Sequence, residues 1–190
     1  MSPTPDVTER ASRVRLLALD VDGVLTDGRL YYGESGEALK AFHARDGLGL
    51  RLLLDEGVEV AVITARRAPI VVKRCEELRI RRVFVGRDDK RSVLAELAST
   101  LGIEPAAMAF VGDDVLDLPA LRYVGLPIAV ADAGALGNVD ELRHPFLRSR
   151  FEGASGSDTR TSVARVATCA ANRGKNFMTY SKKLPSLSAP

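Results

Sequence analysis

Short, mainly apolar runs alternate along this chain with stretches whose apolar residues recur at helical spacing. The first run, Leu16-Leu17-Ala18-Leu19, follows a basic lead-in and breaks on Asp20-Val21-Asp22-Gly23. Val58 to Ile63 is a second run, Arg82 to Gly86 a third, Met108 to Val111 a fourth and Pro127 to Ala131 a fifth. Runs of this length without polar alternation fit strands buried on both faces, as in a parallel sheet.

Helical segments lie between them. Asp46 is expected to cap a leucine-rich helix over 47–56 that Gly57 stops. Pro69 opens the next at its first turn, with Ile70, Val71, Cys75 and Leu78 as the buried stripe. Asp88 or Asp89 caps a third helix through Leu101, ended by Gly102. Lys90 in its first turn opposes the helix dipole, which points to a purpose other than helix stability. Regular strand–helix alternation with right-handed crossovers predicts an α/β fold: a doubly wound parallel sheet in a three-layer α/β/α sandwich. One insertion interrupts it. Residues 29–42 give two short apolar or aromatic pieces around Gly33-Glu34-Ser35-Gly36, a β-hairpin after strand 1 that is too short to form a cap domain.

A length of 190 residues suits a single domain with a real core. Residues 1–13 are polar, contain proline and read as a flexible arm; residues 14–133 carry the strand–helix pattern. Residues 134–190 lose it, with Gly, Ser, Thr and Arg dominating 151–161, and are expected to be a divergent, disordered tail with at most a short helix over 162–171. The net charge of +2 is interspersed, so no nucleic-acid or membrane footprint is expected. Cys75 and Cys169 lack metal-ligand spacing and read as reduced thiols, and the N-terminus has no apolar signal core, so a cytoplasmic protein is expected.

The strand ends hold the chemistry. In order they carry Asp20 and Asp22, then Thr64, then the Lys90 helix start, then Asp113 and Asp117. In an open α/β sheet the crevice beyond these ends is the ligand site, so all four can serve one centre. Carboxylates without His or Cys companions suit a hard cation, Mg²⁺ rather than zinc. A lysine and a hydroxyl beside it suit a phosphoryl group. Other residues have blander roles: Asp27 and Asp114 as turn or supporting groups, His43 as a lone structural histidine, Tyr31 and Tyr32 as packing or partner-facing groups, while His144 falls in the unassigned tail.

The series DxDGxxxD, Thr, Lys and GDDxxD resembles the four motifs of the haloacid dehalogenase superfamily. From Leu16 to Asp132 the chain is similar to its cap-less 3-deoxy-D-manno-octulosonate 8-phosphate phosphatases, through DVDGVLTDG, the Gly36 to Phe42 hairpin, Arg45-Asp46-Gly47, Thr64-x-Arg66 with Pro69-Ile70, and GDDxxDxP. The resemblance implies a Rossmannoid fold of that superfamily and a Mg²⁺-dependent phosphatase acting through an aspartyl-phosphate. Asp20 is then the nucleophile and Asp22 the general acid and base. Mg²⁺ is held by Asp20, Asp22 (through its main-chain carbonyl) and Asp113, with Asp117 supporting; Thr64 and Lys90 hold phosphoryl oxygens. Arg66 and Arg74 are implied partners of a sugar-acid carboxylate, although Arg74 also fits a solvated helix face. A small-molecule sugar phosphate is the implied substrate, lipopolysaccharide precursor synthesis the implied setting, and a homotetramer joined through the hairpin the implied assembly.

Two features depart from the family pattern. Ala65 stands where glycine is usual, a strain if φ there is positive, and the tail lacks the usual glycine-rich turn and amphipathic helix. Rival readings are a nonulosonate 9-phosphate or broad sugar phosphatase, and a catalytically silent oligomerisation module. The silent module is expected to have lost Asp20 or Asp22, and both remain.

Overall fold

In the computed structural model, residues 5–130 and 147–148 are described. Six parallel strands form the main sheet: β1 (Leu16–Leu19), β4 (Glu59–Thr64), β5 (Arg82–Val85), β6 (Met108–Gly112), β7 (Leu126–Ala129) and the two-residue β8 (Leu147–Arg148). Their spatial order is β5-β4-β1-β6-β7-β8. The chain therefore winds outward from β1 first to one side and then to the other, which leaves the switch point at the end of β1. β2 (Tyr31–Gly33) and β3 (Gly36–Leu39) form a separate antiparallel hairpin.

The apolar runs are explained by burial on both faces. In β1, Leu17 and Leu19 join one core with Leu50 and Leu53 of α2 (Ala44–Asp55) and Val71 and Cys75 of α3 (Pro69–Glu77). Leu16 and Ala18 join a second core with Val93, Leu94 and Leu97 of α4 (Lys90–Leu101) and Leu121 of α5 (Leu118–Leu121). This is the expected three-layer sandwich, with a helical layer on each face of the sheet.

Four details differ from the sequence reading. α2 begins a turn early, with His43 as its cap: Nδ1 accepts the Arg45 N–H at 3.2 Å, and Asp46 is buried in the first turn. Residues 5–12, expected as a flexible arm, form helix α1 (Pro5–Ser12), which buries Ala11 and bonds the Gly125 carbonyl through Arg10 Nε at 3.0 Å. The fifth predicted strand ends at Ala129 rather than Ala131, and β8 extends the sheet within the stretch expected as tail. The expected helix over 162–171, with His144 and Cys169, lies outside the described residues. Ala65 carries no strain, since Arg79 is the one non-glycine with positive φ among the described residues.

Candidate active site

Parallel register brings the chemistry-bearing residues to one edge. Leu19 pairs with Val62 and with Val111, so Asp20, one residue past β1, lies beside the ends of β4 and β6. Its N–H donates to Val111 O at 3.0 Å. Thr64 closes β4, and Asp113 follows directly on β6. Lys90 is the first residue of α4, whose cap Asp89 accepts the Ser92 N–H at 3.1 Å.

Lys90 is the hub of the buried charges. Its ammonium lies 2.9 Å from Asp20 Oδ1 and 2.5 Å from Asp117 Oδ1. Burial opposes that charge, but the two carboxylates outweigh it and hold the lysine above its ordinary pKa. Its place in the first helical turn, unfavourable to the dipole, is thereby explained. Asp117 is fully buried with both oxygens engaged: Oδ2 accepts the Asp113 N–H at 3.0 Å and lies 3.4 Å from that of Asp114.

Asp20, Asp113 and Asp117 each offer a carboxylate oxygen within 4.8 Å of the others. Burial pushes Asp20 up to about 6 despite Lys90, and pushes Asp113 up to about 7, with Asp20 and Asp117 adding to the rise. Asp113 Oδ1 is buried without a hydrogen-bond partner. A buried, orphaned carboxylate oxygen among other acids is satisfied by a hard cation, and the all-oxygen donor set fits Mg²⁺. The loops are shaped around these acids. A Cβ on Gly23, where φ is +88°, would stand 2.0 Å from Asp113 Oδ2, and one on Gly112 would stand 2.5 Å from Asp117 Oδ2.

The Asp22 carboxylate is not a member of this triad. Lys40 contacts its Oδ1, and Arg66 Nε lies 3.9 Å from its Oδ2. Its side chain is thus ion-paired with the insertion and with the loop after β4; among the described residues, the carboxylates that converge are Asp20, Asp113 and Asp117. Thr26 braces the same loop: its Oγ1 donates to Val21 O at 3.4 Å and accepts the Gly28 N–H at 3.2 Å. Thr64 Oγ1 accepts the Arg66 N–H at 3.2 Å. Asp27 and Asp114 are turn residues, accepting the Arg29 and Val115 N–H groups. Arg74 sits elsewhere, 3.0 Å from Glu77, over the Phe42 ring and against the backbone of Gly47.

No protein-family profile matches the chain. The 3-deoxy-D-manno-octulosonate 8-phosphate phosphatase KdsC of Escherichia coli K12 is 48% identical over 147 residues, covering 77% of this chain and 73% of the relative. The chain belongs to the KdsC phosphatase family. A crystal structure of the Yersinia pestis 3-deoxy-D-manno-octulosonate 8-phosphate phosphatase matches with a TM-score of 0.78 at 39% identity, covering 89% of this chain and 88% of that one. The Moraxella catarrhalis phosphatase, solved with magnesium, phosphate and KDO, matches with a TM-score of 0.78 at 32% identity over 94% and 99% of the two chains.

A buried charge that sequence reasoning passed over is Lys40. It was visible as the lysine of the Gly36 to Phe42 motif, three residues after Glu37, but a lysine beside a short hairpin reads as a solvated charge until the fold buries it.

Proposed function

We propose that this chain is a Mg²⁺-dependent phosphatase that hydrolyses 3-deoxy-D-manno-octulosonate 8-phosphate to KDO and inorganic phosphate. The observation that carries the reading is the junction of Asp20 with Lys90 and the Asp113–Asp117 pair at the end of β1, in a chain 48% identical to a KdsC phosphatase.

Asp20 Oδ is the nucleophile: it attacks phosphorus as the bond to the sugar oxygen breaks, giving an aspartyl-phosphate. Asp22 gives its proton to the departing sugar oxygen, then takes one from the water that cleaves the acyl phosphate. Lys90 and the Thr64 hydroxyl hold the phosphoryl oxygens, and Lys90 keeps Asp20 charged against the cost of burial. Asp117, with both oxygens engaged, positions Lys90 and the Asp113 backbone. Asp20, Asp113 and the Asp22 carbonyl are the groups to hold Mg²⁺. Bound there, the metal supplies positive charge against the crowding of a carboxylate nucleophile and a phosphate dianion.

Arg66 is the group we assign to the sugar-acid carboxylate, since its Nε is buried without a hydrogen-bond partner beside Asp22. Arg74 was the second candidate; its partners, Glu77 and Phe42, suit a role at the seam of α2 and α3. We further assign a cytoplasmic homotetramer in lipopolysaccharide precursor synthesis. The exposed Leu30, Tyr31, Tyr32 and Leu39 of the insertion support subunit contact, and no described helix is long and apolar enough to cross a membrane.

The test is phosphate release from a panel of sugar phosphates with Mg²⁺ and with EDTA. Preference for the octulosonate ester and loss of activity in EDTA are expected; equal rates across the panel defeat the substrate assignment. Asp20→Asn is expected to lower turnover at least a thousandfold, with the melting temperature maintained because a strained buried charge is removed. Retained release in that variant ends the nucleophile assignment.

A further inference from the structure

Lys40 follows β3 of the hairpin and carries a charge on a side chain with no exposed surface. An ammonium is costly to bury unless it is paired and hydrogen-bonded. A hairpin that only covered the site or met another subunit has no need of one. Here the ammonium contacts Asp22 Oδ1 and lies 2.6 Å from Glu37 Oε1. The buried ammonium is thus ion-paired with two carboxylates.

Two further hairpin residues contact Arg66, the other cation beside this carboxylate. The Tyr32 hydroxyl accepts a hydrogen bond from Arg66 Nη2 at 2.9 Å, and Arg66 Nε stands 3.9 Å from both Asp22 Oδ2 and Glu37 Oε2. The two oxygens of Asp22 therefore differ: Oδ1 is anchored by a hydrogen bond, and Oδ2 has only a more distant guanidinium.

We infer that Lys40, held by Glu37, is a positioning residue for the acid–base step: it fixes the Asp22 carboxylate through Oδ1 and leaves Oδ2 to exchange the proton. This rests on the phosphatase reading, in which Asp22 protonates the departing sugar oxygen and deprotonates the hydrolytic water. A carboxylate on a loop can rotate out of line, and misplacement by about 1 Å can cost roughly a hundredfold in rate. Glu37 gives the lysine a second ion-pair partner and so restricts its rotamers. On this account the insertion completes the reaction centre within its own chain.

The experiment is a mutant cycle on the full chain with 3-deoxy-D-manno-octulosonate 8-phosphate at saturating Mg²⁺, comparing Lys40→Met, Asp22→Asn and the double variant. Lys40→Met is expected to lower kcat by about 10- to 100-fold while KM changes by less than about threefold, and Lys40→Arg to recover part of the loss. Added to Asp22→Asn, Lys40→Met is expected to cost less than a further threefold, because groups acting as a unit are not additive. The same factor in both backgrounds marks a structural role and overturns the inference.

Hydrogen exchange supplies an arm that needs no turnover. Amides of residues 36–40 are expected to exchange faster in both Asp22→Asn and Lys40→Met, and unchanged exchange in Asp22→Asn overturns the pairing. Wild-type protein that releases phosphate from no sugar phosphate defeats the phosphatase reading and the acid–base role with it, whereas turnover with additive losses defeats Lys40's role alone.

Discussion

Gly23 shows how little room the site leaves for change at the level of single residues. Its φ of +88° is poorly tolerated by other residues, and a methyl there meets Asp113 Oδ2 at 2.0 Å. Gly23→Ala is expected to displace Asp113 and raise the half-saturating Mg²⁺ concentration at least about tenfold, as for loss of groups that orient ligands; a metal titration of activity reads this. The two arginines separate by position. Arg66→Ala removes a guanidinium beside Asp22 and is expected to raise KM about tenfold or more, since a hydrogen bond to a charged group is worth roughly 1.5–3 kcal/mol. Arg74→Ala removes contacts with Glu77 and Phe42, so a lower melting temperature with KM within about threefold is expected. Steady-state kinetics on both variants, run beside thermal melts, distinguish the two roles. The motif acids Asp20 and Asp113 were legible because each directly follows an apolar strand. Lys40 was not, since its burial depends on the hairpin folding back on a loop eighteen residues away in sequence.

Among the elements, the strands and the later helices matched their sequence signals because apolar runs, Pro69, Asp89 and Gly102 act locally. The start of α2 was misread for a physical reason. Asp46 is an eligible cap, but His43 sits in extended backbone three residues earlier and its ring nitrogen takes the Arg45 N–H, so the helix gains a turn and Asp46 goes inside. α1 was missed because its eight residues are mostly polar; what orders it is a docking surface made by distant chain. Deletion of residues 1–12 removes the buried Ala11 and the bond from Arg10 to Gly125 O. A loss of about 1–2 kcal/mol is expected for one buried contact and one hydrogen bond, a drop of roughly 2–8 °C in Tm, with kcat unchanged. A melting curve and an activity assay of the truncated protein check both halves.

For the whole molecule, the carboxylates at the sheet edge couple stability, pH and metal. Asp20 and Asp113 titrate in the fold at about 6 and about 7, above the ordinary value of 3.8. The native state therefore binds these protons more tightly than the unfolded chain, and stability from the two groups falls as pH rises from about 4 to about 7. Mg²⁺ needs them ionised, so it restores stability at pH 7.5 and does little at pH 5. At a hundredfold excess over its Kd the metal is expected to add about 2.7 kcal/mol, a rise of roughly 5–10 °C at pH 7.5 that EDTA reverses. Melting curves at both pH values, with and without Mg²⁺, measure it; an equal rise at pH 5 argues against Asp20 and Asp113 as metal ligands.

The sequence by itself determined the layered α/β architecture and the strand ends that bear Asp20, Asp22, Thr64, Lys90, Asp113 and Asp117. Both follow from chain-local physics: strands buried on two faces must be apolar throughout, and a parallel sheet sends all its carboxyl ends to one edge. Tertiary structure alone decided how these charges divide. Lys90 joins Asp20 to Asp117, while Lys40 and Arg66 pair with the Asp22 side chain. Such pairings depend on through-space distances of a few ångströms between residues far apart along the chain, 70 positions for Asp20 and Lys90 and 27 for Lys90 and Asp117, and spacing in sequence does not encode them.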